Sequence, residues 1–207
     1  VLRVHFPKGS YAQSQSGSKA GGVNFYAQPF SPGNYTSAYL SYDVSFPANF
    51  SWARGGKLPG LYGGEPDGMC SGGVDSEQCF SARFMWREKG AGEVYMYLPI
   101  HKEHSFCQRR YVSCTEGYGQ SIGRGKINFD PGKWTRMEMY MRMNDPHTSN
   151  GVLVVAVDGV KVLEENGMPW RSSGSVGPSS LMFSSFFGGH DSSYATPVDQ
   201  DLFFRNV

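Results

Sequence analysis

A chain of 207 residues, 39% hydrophobic and 14% aromatic, has enough apolar surface to bury one substantial core without a metal or a dense disulfide framework. Nineteen basic residues against eighteen acidic ones leave a formal charge of +1, which excludes a general affinity for nucleic acid or for anionic membrane surfaces. No apolar run approaches the roughly 18 residues a membrane-spanning helix needs, and 27 glycines with 12 prolines favour many short strands over helices.

The opening segment, VLRVHFPKGS, carries no signal-peptide pattern, so a processed mature form is expected. Asn34-Tyr35-Thr36 and Asn49-Phe50-Ser51 fit the glycosylation sequon. Between them AYLSYDVSF alternates, with Leu40, Tyr42, Val44 and Phe46 facing one way and Ser41, Asp43 and Ser45 the other. That period of two marks a half-buried antiparallel strand. GGKLPGLYGG, residues 55–64, sets one lysine, Lys57, among glycines and a proline, and reads as a loop whose backbone can approach a ligand closely.

The four cysteines fall as two close pairs, Cys70 with Cys79 and Cys107 with Cys114. Four cysteines allow three connectivities, and proximity favours these two local loops; CxxC spacings that would suggest zinc are absent. With the sequons, the pairs point to a secreted protein.

SARFMWREKGAGEVYMYLPI, residues 81–100, reads as a hairpin. Ser81, Arg83, Met85 and Arg87 share one face of its first strand, with Ala82, Phe84 and Trp86 on the other. Tyr95 and Tyr97 share a face of its second strand, opposite Val94, Met96 and Leu98. A turn centred on residues 89–92 would place Arg83 opposite Tyr97 and Met85 opposite Tyr95. The apolar set turns inward, so the other side gathers a guanidinium, two phenols and a hydroxyl.

His101 and His104 follow in what is expected to be a solvated loop, and Arg109 and Arg110 in the cysteine-bounded loop are candidates for gripping carboxylates. In WTRMEMYMRMN a methionine stripe (Met137, Met139, Met141, Met143) is core, with Trp134 and Tyr140 opposite. VLVVAVDGVKVLEENG is a hairpin turning at Asp158-Gly159. SLMFSSFFGG and DLFFRNV are two further strands; His190 and Tyr194, following the first, are placed to close one end of a cleft. Asp199 and Asp201 fall short of the roughly six to eight oxygens that calcium takes. With no repeat, linker or helical punctuation, one all-β domain spanning residues 1–207 is expected, a β-jelly roll sandwich of two antiparallel sheets with a concave groove.

Lysine, arginine and paired tyrosines suit elimination from a uronic acid. That reaction needs a cation to quiet the carboxylate, a base for the proton beside it, and an acid for the leaving glycosidic oxygen. Arginine forks a carboxylate, and tyrosine or lysine can move protons. A hydrolase needs two carboxylates across the scissile bond, and nothing brings Asp43 and Glu138 together for that task.

At these residues the chain resembles polysaccharide lyase family 14, the jelly-roll alginate and glucuronan lyases. The resemblance rests on YLSYDVSFPANF, GGKLPGL, SARFMWR, VYMYLP and FSSFFGG. It implies that Lys57, Arg83, Tyr95 and Tyr97 are catalytic and that Ser81 binds substrate, without fixing which is the base. We expect Tyr95 in both base and acid roles, with Lys57 and Arg83 stabilising the carboxylate and the developing anion, and Lys57 as base the next candidate. The resemblance also implies elimination without an obligatory metal or other cofactor. The fungal glucuronan lyases of family 20 share the fold and substrate class. The partner expected is an acidic polysaccharide, bound by a monomer, with no nucleic acid and no membrane. The competing expectation is a non-catalytic, lectin-like module for acidic polysaccharides on the same fold.

Overall fold

The computed structural model describes the chain apart from residues 13, 15–16, 18–19, 30–34, 66–68, 75, 102–103 and 116. The Asn34 sequon position therefore lies outside the described residues, whereas Asn49 is exposed.

Alternating sequence becomes strand wherever one face finds a core. The described strands are β1 (Leu2–Phe6), β2 (Val23–Ala27), β3 (Ser37–Ser45), β4 (Gly55–Gly64), β5 (Cys79–Arg87), β6 (Ala91–Tyr97) and β7 (Val112–Ser113). They continue with β8 (Gln120–Asn128), β9 (Trp134–Arg142), β10 (Gly151–Val157), β11 (Val160–Met168), β12 (Pro178–Phe187) and β13 (Gln200–Arg205). Two antiparallel sheets result, one ordered β1-β13-β3-β9-β10-β11 and the other β2-β12-β4-β5-β6-β8-β7. The sandwich is a β-jelly roll, as its strand count and turn chemistry lead one to expect.

The two sheets meet over a continuous core. From the first come Leu40, Tyr42, Val44, Met137, Met139, Met141, Leu153 and Phe204; from the second come Phe80, Ala82, Phe84, Trp86, Val94, Met96 and Phe183. The methionine stripe is fully enclosed, because unbranched thioethers fill the irregular gap between twisted sheets. Trp86 anchors one end, packed edge-on against Phe6, Phe46, Phe50 and Phe187. Its indole N–H donates to the Trp52 carbonyl at 3.2 Å. Asp158 and Gly159 both take positive φ at the β10–β11 turn, the geometry that joins two twisted strands by two residues.

Two expectations need correction. GGKLPGLYGG is not a loop but strand β4, inside the second sheet between β12 and β5. Its proline is tolerated because Pro59 falls at a register shift, between Lys57 and Gly60. The extra residue lets Leu58 and Leu61 both reach the core while Lys57 and Tyr62 face away from it. Glycine is required at Gly56, where a Cβ would come within 2.1 Å of the Trp86 ring.

The second correction concerns the hairpin register. Arg83 pairs with Tyr95, Ser81 with Tyr97 and Met85 with Glu93. The reversal is tighter than expected: a 3-10 turn at Glu88–Gly90, with positive φ at Lys89 and Gly90, centres it one residue earlier. A one-residue shift of the centre moves the pairing by two, which preserves the faces but changes every neighbour.

Candidate active site

The face of the second sheet turned away from the core carries a small apolar cluster of Tyr62, Met85, Tyr95, Tyr97, Met182 and the Cys70–Cys79 disulfide. Above it lies a groove of about 910 Å³ lined by Lys57, Arg83, Arg87, Tyr95, Tyr97, Tyr118, Arg124, Ser184 and His190, among others. Neighbouring strands therefore deliver Lys57 (β4), Arg83 (β5), and Tyr95 and Tyr97 (β6) to one surface.

Lys57 is enclosed. Its Nζ donates to the Met85 sulfur at 3.1 Å and sits 4.0 Å from the centroid of the Tyr95 ring. Neither neighbour replaces the water an ammonium loses, so burial, with Arg83 and Arg87 adding repulsion, holds its pKa well below the lysine range; Glu93 partly opposes this. Arg83 is 3% exposed. One terminal nitrogen donates to Ser184 Oγ at 3.3 Å, and its Nε has no partner among the described residues. Among the described residues its acidic-group neighbours are the phenols Tyr97, Tyr95 and Tyr26, not a carboxylate.

Tyr95 and Tyr97 meet edge to face, 5.8 Å between centroids. Burial, then the neighbouring Tyr97, raises the pKa of the Tyr95 phenol, so it keeps its proton across neutral pH. Its oxygen accepts from the Gly119 N–H at 2.9 Å. A Cβ at Gly119 would lie 2.9 Å from the Tyr97 ring and 3.0 Å from the Tyr95 ring, so glycine lets this loop settle on the pair.

Ser81 sits beneath the groove, not in it. Its hydroxyl donates to the Cys70 carbonyl at 2.6 Å, and the Tyr97 hydroxyl accepts from the Gly73 N–H at 2.8 Å. Both bonds fasten the groove to the loop that Cys70–Cys79 closes. The second pair, Cys107–Cys114, is also a disulfide.

Of the other residues weighed, His190 reaches the groove. Its Nδ1 lies 3.4 Å from the Tyr118 hydroxyl, and its ring faces Tyr118 and Tyr194. His104 caps the short turn at Ser105–Gln108, and His101 is exposed. Arg109 is held by Glu165 and by the carbonyls of Asn166 and Gly167, and Arg110 stacks on Tyr111; neither lines the groove. Trp134 and Tyr140 lie on β9, in the other sheet, with Trp134 under Arg205. Asp43 pairs with Arg205, and Glu138 accepts from Tyr39. Asp201 holds His5, and Asp199 accepts the Lys8 N–H. Among the described residues no group of three metal-ligating side chains converges.

Sequence reasoning missed Glu93, Arg124, Ser184 and Tyr118. Glu93 was within reach of the same alternation that singled out Tyr95 and Tyr97, since all three fall on one face of β6. Arg124, Ser184 and Tyr118 come from segments whose place beside the hairpin only the sheet order reveals.

A jelly roll whose groove gathers Lys57, Arg83, Tyr95 and Tyr97, with no carboxylate pair among the described residues, fits the class of polysaccharide lyases. The polysaccharide lyase 14 family model matches residues 1–207, and the chain belongs to that family. It is 38% identical to the marine alginate lyase of Aplysia kurodai, with a TM-score of 0.87 over 99% of this chain and 80% of that one. The alginate lyase of a Chlorella virus superposes with a TM-score of 0.80 at 25% identity, over 98% and 81% of the two chains. Exolysin of Paramecium bursaria Chlorella virus 1 is 27% identical over 187 residues, and the match spans 28% of that longer protein. The endo-β-1,4-glucuronan lyase of Trichoderma reesei, at 10% identity and a TM-score of 0.56, shares the fold alone.

Proposed function

We propose that this chain cleaves an alginate-type polyuronate by β-elimination, with Lys57 as base, Arg83 as carboxylate clamp and Tyr95 as acid. The observation that carries this reading is the pairing of Arg83, buried with no carboxylate partner among the described residues, with Lys57, whose charged form is disfavoured. An arginine so placed waits for a carboxylate from outside the protein. Bound there, the uronate has its negative charge spread and its neighbouring C–H acidified.

The neutral Lys57 amine takes that proton. The electron pair released forms a double bond to the adjacent ring carbon, whose bond to the glycosidic oxygen breaks. The protonated Tyr95 phenol supplies a proton to the departing oxygen, and Tyr97 hydrogen-bonds the developing charge. Of the base and acid roles expected of Tyr95, its raised pKa supports the acid role. Ser81 contributes by tying down the disulfide loop.

Internal attack on a chain lying across the sheet, by a monomer, completes the proposal, and the two disulfides suit an extracellular enzyme. A lectin would not need a lysine whose charged form is disfavoured. The test is ultraviolet absorbance of the conjugated product on polymannuronate, polyguluronate and β-1,4-glucuronan. A rise on either alginate block is the expected result; binding to all three without any rise would leave the lectin reading standing instead.

A further inference from the structure

Glu93 is fully enclosed, 0% exposed, at the base of the groove, yet nothing in the proposed chemistry uses it. An isolated carboxylate so placed would be costly. Two arginines satisfy it: Arg87 donates through Nε at 2.8 Å and through a terminal nitrogen to one oxygen, and Arg124 donates through Nε at 2.5 Å to the other. Burial works against its charge, but these bonds hold the carboxyl below the ordinary glutamate range.

One carboxylate cannot neutralise two guanidiniums. Among the described residues Glu93 is the carboxylate that each pairs with, and both arginines line the groove while Glu93 does not. A purely structural ion triad would enclose all three members, whereas the Arg124 side chain is 56% exposed. Each guanidinium has five N–H donors in a fixed plane. Fixing the Nε edge on Glu93 leaves terminal donors of Arg124 free to meet a ligand from the solvent side.

Register locates the pair. Lys57, Met85 and Glu93 lie in one row across β4, β5 and β6, so Glu93 is two strand spacings from Lys57, about 10 Å. Arg124, on β8, and Arg87, two residues beyond Met85 at the end of β5, thus stand beside the proposed cleavage point rather than at it, one toward the β8 edge and the other toward the hairpin end. A uronate polymer carries a carboxylate on every ring, so a ring flanking the reacting one brings its own anion to be received.

We propose that Arg87 and Arg124, positioned by Glu93, form a carboxylate-binding subsite for a uronate ring flanking the scissile bond. This rests on the polyuronate reading. Glu93 is a positioning residue: it orients the two guanidiniums and leaves them a net positive charge.

Steady-state turnover of alginate and calorimetric binding of an alginate oligosaccharide test the subsite in Arg87→Ala, Arg124→Ala, Glu93→Gln and the Glu93→Gln/Arg124→Ala double variant. Arg142→Ala, which removes the same charge from the other sheet, is the control. Losing one charge-assisted contact should raise KM and Kd about ten- to a hundredfold, with kcat changed only a few-fold. Glu93→Gln should raise them similarly and non-additively with Arg124→Ala, and Arg142→Ala should leave both unchanged. Unchanged KM and Kd in folded Arg124→Ala, or a loss confined to kcat, would overturn the subsite. Because Arg124 is exposed, that variant remains informative even where Glu93→Gln fails to fold. Wild-type protein that binds the oligosaccharide without turnover would sink the lyase reading alone, the Arg124→Ala Kd still deciding the subsite; no wild-type binding would sink both.

Discussion

Lys57 has a folded-state pKa depressed from 10.5 by burial and by Arg83 and Arg87. Between that depressed pKa and 10.5 the unfolded chain holds the additional proton, so stability rises with pH through the window and is lost as pH falls toward the folded value. Lys57→Met should remove this dependence. The expected outcome is no turnover but a more stable fold at neutral pH, by about 1 kcal/mol or more, seen as a higher Tm and a flatter alkaline stability profile. A lower Tm at neutral pH would contradict the account of Lys57 as a strained cation. Tyr95→Phe removes only the phenolic oxygen from a ring that still packs on Lys57 and Tyr97. It should cut kcat about 10²- to 10⁴-fold, the usual worth of a general acid, with KM little altered; retained kcat would move the acid role elsewhere.

At the scale of elements, the loop closed by Cys70–Cys79 matters because it holds two groove residues from behind, Ser81 through the Cys70 carbonyl and Tyr97 through the Gly73 N–H. Closing a loop of nine residues' separation constrains the unfolded chain by about 2–3 kcal/mol. Cys70→Ser/Cys79→Ser should show that loss in urea unfolding, with a kcat loss exceeding that of Cys107→Ser/Cys114→Ser, whose loop bonds neither tyrosine. Equal kcat in the two variants would deny the loop a part in positioning Tyr97. The strands themselves were legible: period-two patterning placed β3, β5, β6 and β9 with their faces, and β10 to β13 were read as strands without a face. The register of β5 with β6 was not, because it depends on where the chain reverses, and the left-handed conformation of Lys89 has no mark in a lysine codable by pattern. Strand β4 was hidden for a similar reason. Glycine and Pro59 signal turns in isolation, but here they permit close packing against Trp86 and a bulge within the sheet.

Over the whole molecule, core and groove are two sides of one sheet. Trp86 faces the core on β5 while Met85 and Arg87 beside it face the groove, so the aromatic cluster around Trp86 stiffens the strand that presents Arg83. Trp86→Ala should cost about 3–5 kcal/mol in denaturant unfolding and reduce activity with it. Lys57, Arg83, Arg87 and Arg124 line the groove of a molecule whose formal charge is only +1. Attraction for a polyanion is therefore local, and KM for alginate should rise between low and physiological salt as the exposed cations are screened; a salt-independent KM would argue against electrostatic capture.

By itself the sequence determined the all-β class, the faces of β3, β5, β6 and β9, the two disulfides and the candidate set Lys57, Ser81, Arg83, Tyr95 and Tyr97. Alternation, cysteine spacing and local motif are short-range, and a linear chain displays them directly. Tertiary structure decided that Lys57 lies in a strand against the Tyr95 ring, that Arg83 is buried with no carboxylate beside it among the described residues, that Ser81 faces a loop, and that Glu93 gathers Arg87 and Arg124. Each of these depends on which strands become neighbours and in what register. Burial and charge proximity, which set the proton affinities of the site, exist only once the sheet has assembled.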